Sequence, residues 1–290
     1  MKNLIIIISV ALGSIATANW HQRILDVKTQ SELTFADLAK QANGTDIVAI
    51  GELHNTTEVQ ILEAKILEEV VTRLGLQNRF TLGWEFLAVS QKAQNDLLFG
   101  DFMSGKVTSL EFLTATVGKT TAPFYVPVLD TLKKFGGDLK GLNLTRDEKA
   151  PVVKGGIKAA DPRLIPEGFE MGGANYLERF NEAMGGHTPA DKLQNYFEAQ
   201  CLTDDVMAYS LENEIALGPR FFIGGSFHTD FFDGTIARYK KRNPVSRVLS
   251  IRIIDSSEFK ESELLGLLNH PLYGLISDLV IFVNEPLQAF

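Results

Sequence analysis

Two histidines in this chain stand in the same setting. Gly51-Glu52-Leu53-His54 and Gly225-Ser226-Phe227-His228 each place an imidazole three residues beyond a glycine that closes a short apolar run. An imidazole so placed can ligate a metal ion, including the iron of a cofactor, or move protons. Each histidine alone could equally cap a strand end through hydrogen bonds, but the repeated setting on separate runs favours a shared site. The glycines would let backbone approach a ligand with no Cβ in the way. Glu85 ends a third apolar run between Trp84 and Phe86. Carboxylates are seldom found between aromatics unless paired or coordinated. Glu85 is therefore a candidate metal ligand, a partner that orients one histidine, or a general base. Glu52 either points into the same site or caps the helix that follows.

Three further side chains are candidates for holding a ligand. Asn143 closes a fourth apolar run. Arg146, just after it, can bind a carboxylate with two parallel hydrogen bonds or stand solvated in a first helical turn. Tyr125, between Pro123 and Pro127, offers a hydroxyl or is simply a packed aromatic. Asp204 and Asp205 lie in a long helical stretch, where a solvated helix surface is the favoured reading. His21, His187 and His270 have no comparable setting and read as surface residues.

These residues need a scaffold that gathers strand ends. Apolar runs at 46–50, 80–84, 139–144, 220–223, 246–254 and 279–283 read as strands, several of them buried on both faces. Between them fall helical patterns. One has Val59, Leu62, Ile66 and Val70 on one face and stops at Gly75. Residues 89–117 read as helix in two pieces broken near Gly105. A short helix follows the Pro123–Pro127 segment, and another begins near Asp147. The stretch from Lys154 to Gly173 reads as an irregular insertion, followed by helices near 175–185 and 189–216. Alternating strands and helices predict an α/β fold: a mostly parallel central sheet, helices on both faces and a helical insertion. In such sheets ligands bind outside the carboxyl ends of the strands. His54, Glu85, Asn143 and His228 all fall on that edge.

At 290 residues and 45% hydrophobic, the chain can bury one full core, and a single domain over 19–290 is expected. A net charge of −8 argues against nucleic acid as a partner. The basic run 238–242 reads as a helix C-terminus, where cations oppose the helix dipole. The N-terminus reads as a signal peptide over 1–18. Lys2 is followed by an apolar stretch from Leu4 to Ile15, then by Ala16-Thr17-Ala18, with cleavage expected before Asn19. The apolar stretch is shorter than the ~20 residues that span a bilayer, so no membrane span is expected after processing. The expected location is the periplasm or outside the cell. Cys201 is the one cysteine, so neither an internal disulfide nor a lipid anchor at the cleavage point is available. It reads as a buried, inert thiol.

The ordered set Gly51–His54, Trp84–Phe86, Tyr125–Pro127, Leu142–Arg146, Gln200–Ala208 and Gly225–His228 resembles the ChaN-like haem-binding uptake family of the wider Tiki and erythromycin-esterase superfamily. The resemblance spans about 44–242. It implies an exported haem-binding protein serving haem or iron acquisition, and it admits a homodimer built around haem. His54 and His228 fall on the family's two G-x-x-H motifs and Glu85 on its acidic strand end. Two departures stand out. Val59 and Gln60 replace a pair of histidines common in the family, and Asp230 and Phe231 replace a basic residue and a tyrosine.

Two uses of one site follow. Haem would lie against the strand-end edge with His54, His228 or Tyr125 near the iron, and with Phe124, Phe227, Phe231 and Phe232 available to pack on the ring. Alternatively, His54, His228, Glu85 and Glu52 would hold a divalent ion that activates water for hydrolysis. A third reading is a site that has lost its chemistry and serves as an interaction surface.

Overall fold

The computed structural model describes residues 22–184, 189–213, 215 and 218–284. The expected signal peptide, His21 and His187 lie outside them. Ten strands are present among the described residues: β1 (Gln22–Asp26), β2 (Glu32–Leu33), β3 (Ile47–Glu52), β4 (Thr81–Ala88), β5 (Asp138–Asn143), β6 (Arg220–Gly225), β7 (Val248–Asp255), β8 (Asn269–His270), β9 (Gly274–Leu275) and β10 (Leu279–Val283). Eight form one sheet in the order β2-β1-β10-β7-β3-β6-β4-β5, and β8 pairs with β9 alone. From β10 to β5 every pairing is parallel. At the other end β1 runs antiparallel to β10, with β2 antiparallel to β1. These two edge strands lie in what the sequence reads as a polar lead segment, because β1 has too few residues to show a pattern.

Ten helices among the described residues surround the sheet: α1 (Phe35–Ala42), α2 (Thr57–Leu74), α3 (Lys92–Met103), α4 (Ser109–Thr116), α5 (Ala122–Lys134), α6 (Arg146–Gly155), α7 (Ala174–Met184), α8 (Ala190–Asn213), α9 (Gly234–Arg242) and α10 (Glu261–Leu264). The period-2 geometry of β3 divides its side chains between two cores. Val48 and Ile50 pack with α1, α2 and α5 on one face, while Ile47 and Ala49 meet α8 and α9 on the other. Both faces of the central strands are thus covered, and each fully buried Leu, Ile or Phe contributes roughly 1.5–3 kcal/mol.

One helix departs from the sequence reading. Residues 123–127 belong to α5 and do not precede it. Pro123 occupies the first turn, where its missing N–H is not needed. Pro127 comes one turn later, so the carbonyl it leaves unpaired lies at the helix start. That places Tyr125 on a helix, aimed into the core. The insertion between α6 and α7 is irregular, as expected, with only single turns at 157–159 and 162–164. The basic run ends α9 with Lys240, Lys241 and Arg242 in its last turn.

Candidate functional site

β3, β4 and β6 end side by side, so their polar ends meet. β6 stops at Gly225 and a single tight turn, Ser226–His228, folds the imidazole back over the sheet edge. β4 reaches the same place through a bulge. Trp84 pairs with Gly141 and Ala88 with Asn143, so four residues on one strand advance against two on the other. The bulge turns Glu85 out of the pleat toward β6. It also brings the Leu87 carbonyl within 2.8 Å of where a Cβ on residue 141 would lie, which only glycine permits.

Glu85 stands between the two histidines. Its Oε1 lies 3.1 Å from His228 Nε2, and its Oε2 accepts the Gly225 N–H at 2.6 Å and lies 3.9 Å from His54 Nε2. His228 is buried, and its Nδ1 donates to Asp204 Oδ1 at 2.7 Å. Burial opposes charge on the ring, but Glu85 and Asp204 on its two nitrogens outweigh it and push the pKa to about 10. His228 is therefore an imidazolium at neutral pH. Burial likewise opposes charge on Glu85. The His228 charge and hydrogen bond, with His54 and Gly225, prevail and hold that carboxyl at about 2. Asp204 is fully buried, and it also accepts hydrogen bonds from Tyr176 and, at 2.9 Å, from Thr235. Asp205 is buried too and pairs with Arg242 at 2.8 Å. The favoured reading of both as solvated helix residues is corrected: α8 is packed between the sheet, α6 and α9, so this part of it is shut off from water.

Behind His54 lies a second buried group. Glu52 accepts the Tyr125 hydroxyl at 2.7 and 2.8 Å, the Gln60 amide, and the His54 Nδ1–H at 3.0 Å. Gln60 also receives the Thr56 N–H at 2.7 Å, so it ties the start of α2 to the end of β3. Glu52 thus points into the site and is held by three side chains. Beside it Glu63 is fully buried against Glu52 and Gln60. Burial, followed by the Glu52 charge, drives its pKa well above the usual range, which favours its protonated form. His54 is shifted upward too, by Glu52 and Glu85 against the cost of burial. Its ring packs edge-on against Phe86 at 4.8 Å.

Where the sequence suggests that glycines make room for a ligand, this protein's own side chains take the space. A Cβ on residue 51 would lie 2.1 Å from Thr229 Oγ1, and one on residue 225 would lie 2.9 Å from His54 Nε2. Tyr125 has no exposure and packs against Trp84 and Phe86. Its hydroxyl serves Glu52. His270 is half-buried, stacked on Tyr273 at 4.3 Å and far along the fold in β8. Cys201 is buried, and desolvation pushes its thiol up to about 12.

Glu85 and His228 form the floor of a cleft of about 530 Å³ between α6, α7 and α8. Arg146, Lys149 and Lys154 line one wall, with Phe180, Met184 and Tyr196 across from them. Residues 146, 149, 150, 153 and 154 recur at helical spacing, so one face of α6 forms that wall. None of its three cations makes an ion pair among the described residues. Lys149 reaches only Asn143 Oδ1, at 3.5 Å. Burial holds its pKa below the ordinary lysine value. Sequence reasoning missed Lys149, Lys154, Gln200 and Tyr196. The signal was present as the i, i+3, i+8 spacing of cations from Arg146. Neither His54 nor Tyr125 lines this cleft. Among the described residues no group of three or more His, Cys, Asp or Glu is placed to share a metal ion. Both nitrogens of His228 and both oxygens of Glu85 already have partners.

Residues 38–239 match the sequence profile described as haem-binding uptake, Tiki superfamily, ChaN. The chain belongs to the ChaN family. The fold agrees. A structure described as cofacial heme binding to ChaN of Campylobacter jejuni superposes with a TM-score of 0.70 at 20% identity, over 91% of this chain and 97% of that one. The type III effector HopBA1 aligns at 13% identity over 87% and 94%, with a TM-score of 0.48. A mutant of the erythromycin esterase EreC in its open conformation aligns at 13% identity over 94% and 84%, with a TM-score of 0.45. No curated protein matches in sequence. In this ChaN-family chain His54, Glu85 and His228 stand at or just past the ends of parallel strands. Among the described residues no helix is long and apolar enough to cross a membrane.

Proposed function

We propose that this protein binds haem in the cleft over Glu85 and His228, as an exported component of haem or iron acquisition. One observation carries the reading: the unpaired cationic face of α6 opposite an apolar wall, in a cleft whose volume lies within the roughly 300–1,000 Å³ of small-molecule sites. Haem is a flat apolar ring with two carboxylates on one edge. Arg146, Lys149 and Lys154 would hold the carboxylates, and Phe180, Met184 and Tyr196 would pack against the ring. Asn143 would act through Lys149, by steadying its ammonium group. His228, charged and held at both nitrogens, keeps Glu85 fixed in the floor. His54 stands further back, orienting Glu85 from its other side. Bound haem supplies the iron that makes the complex useful to a cell. Export rests on the N-terminal pattern from Lys2 to Ala18.

Titration with hemin tests the reading. The expected result is a saturable Soret shift, weakened by about tenfold or more in Arg146→Glu or Lys154→Glu, since each would lose a charge-assisted bond. Sedimentation with and without hemin reads out pairing of two chains. A spectrum that is the sum of free hemin and protein at every ratio removes the proposal.

A further inference from the structure

We infer that Lys149 is a nucleophile, and that the cleft captures aromatic aldehydes by condensing them onto its side-chain amine as imines. This goes beyond the haem reading and stands without it. A lysine forms imines readily when its amine is held partly out of water, near other cations and away from any carboxylate that would keep it protonated. Lys149 meets each condition. It is half-buried on the wall of the cleft, with Ala150 and Val153 beside it on α6 and Phe180, Met184 and Tyr196 across from it. Arg146 stands one turn earlier on the same face, and Lys154 lies further along it.

Three carboxylates act on this amine, and each is committed elsewhere. Glu85 is held by His228, His54 and the Gly225 N–H. Asp204 accepts from His228, Tyr176 and Thr235. Glu148 caps its own helix, accepting from the Thr145 N–H at 2.6 Å and the Thr145 hydroxyl at 2.9 Å. Desolvation therefore outweighs their combined pull and holds the Lys149 pKa below the ordinary value. Its hydrogen bond goes to Asn143 Oδ1 at 3.5 Å, an amide oxygen that accepts from an amine as well as from an ammonium. In the reaction the amine lone pair attacks the aldehyde carbon, and the carbonyl oxygen takes up a proton from the nitrogen. The new hydroxyl then leaves as water with the second amine hydrogen while the C=N bond forms. Nothing is oxidised or reduced, and no co-reactant is needed. An aromatic aldehyde fits because its ring meets the apolar wall while its carbonyl meets Lys149. Haem would engage the same residue as an ammonium, so the two ligands compete.

The test adds limiting benzaldehyde to the full chain near neutral pH, reduces any imine with sodium cyanoborohydride and locates the adduct by peptide mass mapping. Lys154, exposed on the same helix, is the internal reference. Lys149 should carry about tenfold more adduct than Lys154, the advantage of a preformed site over a solvated amine. Its labelling should also set in at lower pH than that of Lys154. Lys149→Arg should abolish the dominant adduct, with circular dichroism showing the fold intact. Adduct spread evenly over the lysines, or favouring Lys154, would overturn the inference. Hemin titration of the same protein reads the haem proposal separately. Hemin binding without preferential labelling removes this inference and leaves the haem reading standing, and preferential labelling without hemin binding does the reverse.

Discussion

Glu85 and His228 meet at 3.1 Å although their residues are 143 positions apart, and the contact holds an imidazolium between two carboxylates. Removing the ring would leave Glu85 and Asp204 facing each other in a buried space. Breaking a buried pair in this way costs roughly 3–5 kcal/mol. His228→Ala is therefore expected to lose about that much in urea denaturation near neutral pH. A loss under about 1 kcal/mol would mean that water reaches Asp204 as well as Glu85, contrary to the full burial of Asp204.

The two G-x-x-H glycines make a second, sharper test. A methyl group on residue 51 would overlap Thr229 Oγ1 and lie 3.3 Å from the Ser226 backbone. Thr229 can turn, but the backbone cannot move without shifting the turn that carries His228. Gly51→Ala should cost about 1–3 kcal/mol, as overpacked cores do. At Gly225 the nearest atoms belong to the half-exposed His54 ring, which can move. Gly225→Ala should be milder in stability. It should also lower the His54 pKa, followed by NMR, because the ring is displaced from Glu85. Equal stability losses at the two positions would contradict this account.

How much of this was legible in the sequence depends on the range of the interaction. The six parallel strands announce themselves as short apolar runs, and His54, Glu85 and His228 follow from their strand-end positions. Asp204 and Gln60 were not legible, because a polar residue in a helix looks the same whether its face meets water or another element. The clue for α8 lies in its neighbours. Leu202, Met207, Ala208 and Leu211 surround Asp204 on more of the helix circumference than one face requires. Gln60 reads as the loss of a histidine, yet it is a fully buried bridge between Glu52 and the start of α2. Tyr125 looks available because prolines flank it. The same prolines are tolerated in the first turns of α5, and the hydroxyl goes inward.

Glu63 offers a test of the buried layer behind the site. Burial and the Glu52 charge raise its carboxyl pKa in the fold, whereas in the unfolded chain it ionises above the ordinary value of 4.5. Folding must therefore hold a proton that the unfolded chain releases, and stability from this group falls as pH rises past 4.5. Glu63→Gln keeps the shape and removes the titration. The variant should match the parent protein near pH 4 and exceed it in thermal stability at about pH 8. A difference that did not grow with pH would show that Glu63 carries charge in the fold.

Glu85 and His228 set the opposite limits. Glu85, at about 2 in the fold against 4.5 when free, contributes in full above pH 4.5 and loses that contribution as pH falls toward 2. His228, at about 10 against 6.5, contributes in full below pH 6.5 and loses it as pH rises toward 10. These are two ends of one interaction, so its stabilisation is whole only between those bounds. On the acid side it amounts to about 3 kcal/mol. Urea midpoints at about pH 3, 5.5 and 9 should peak at the middle value. Other carboxylates also titrate on the acid side, so the alkaline limb is the more specific one. There His228→Gln, which keeps a polar side chain between the two acids and cannot titrate, should flatten the fall between about pH 5.5 and 9. If the parent protein and the variant decline in parallel over that range, His228 is not the charged group in the floor of the cleft.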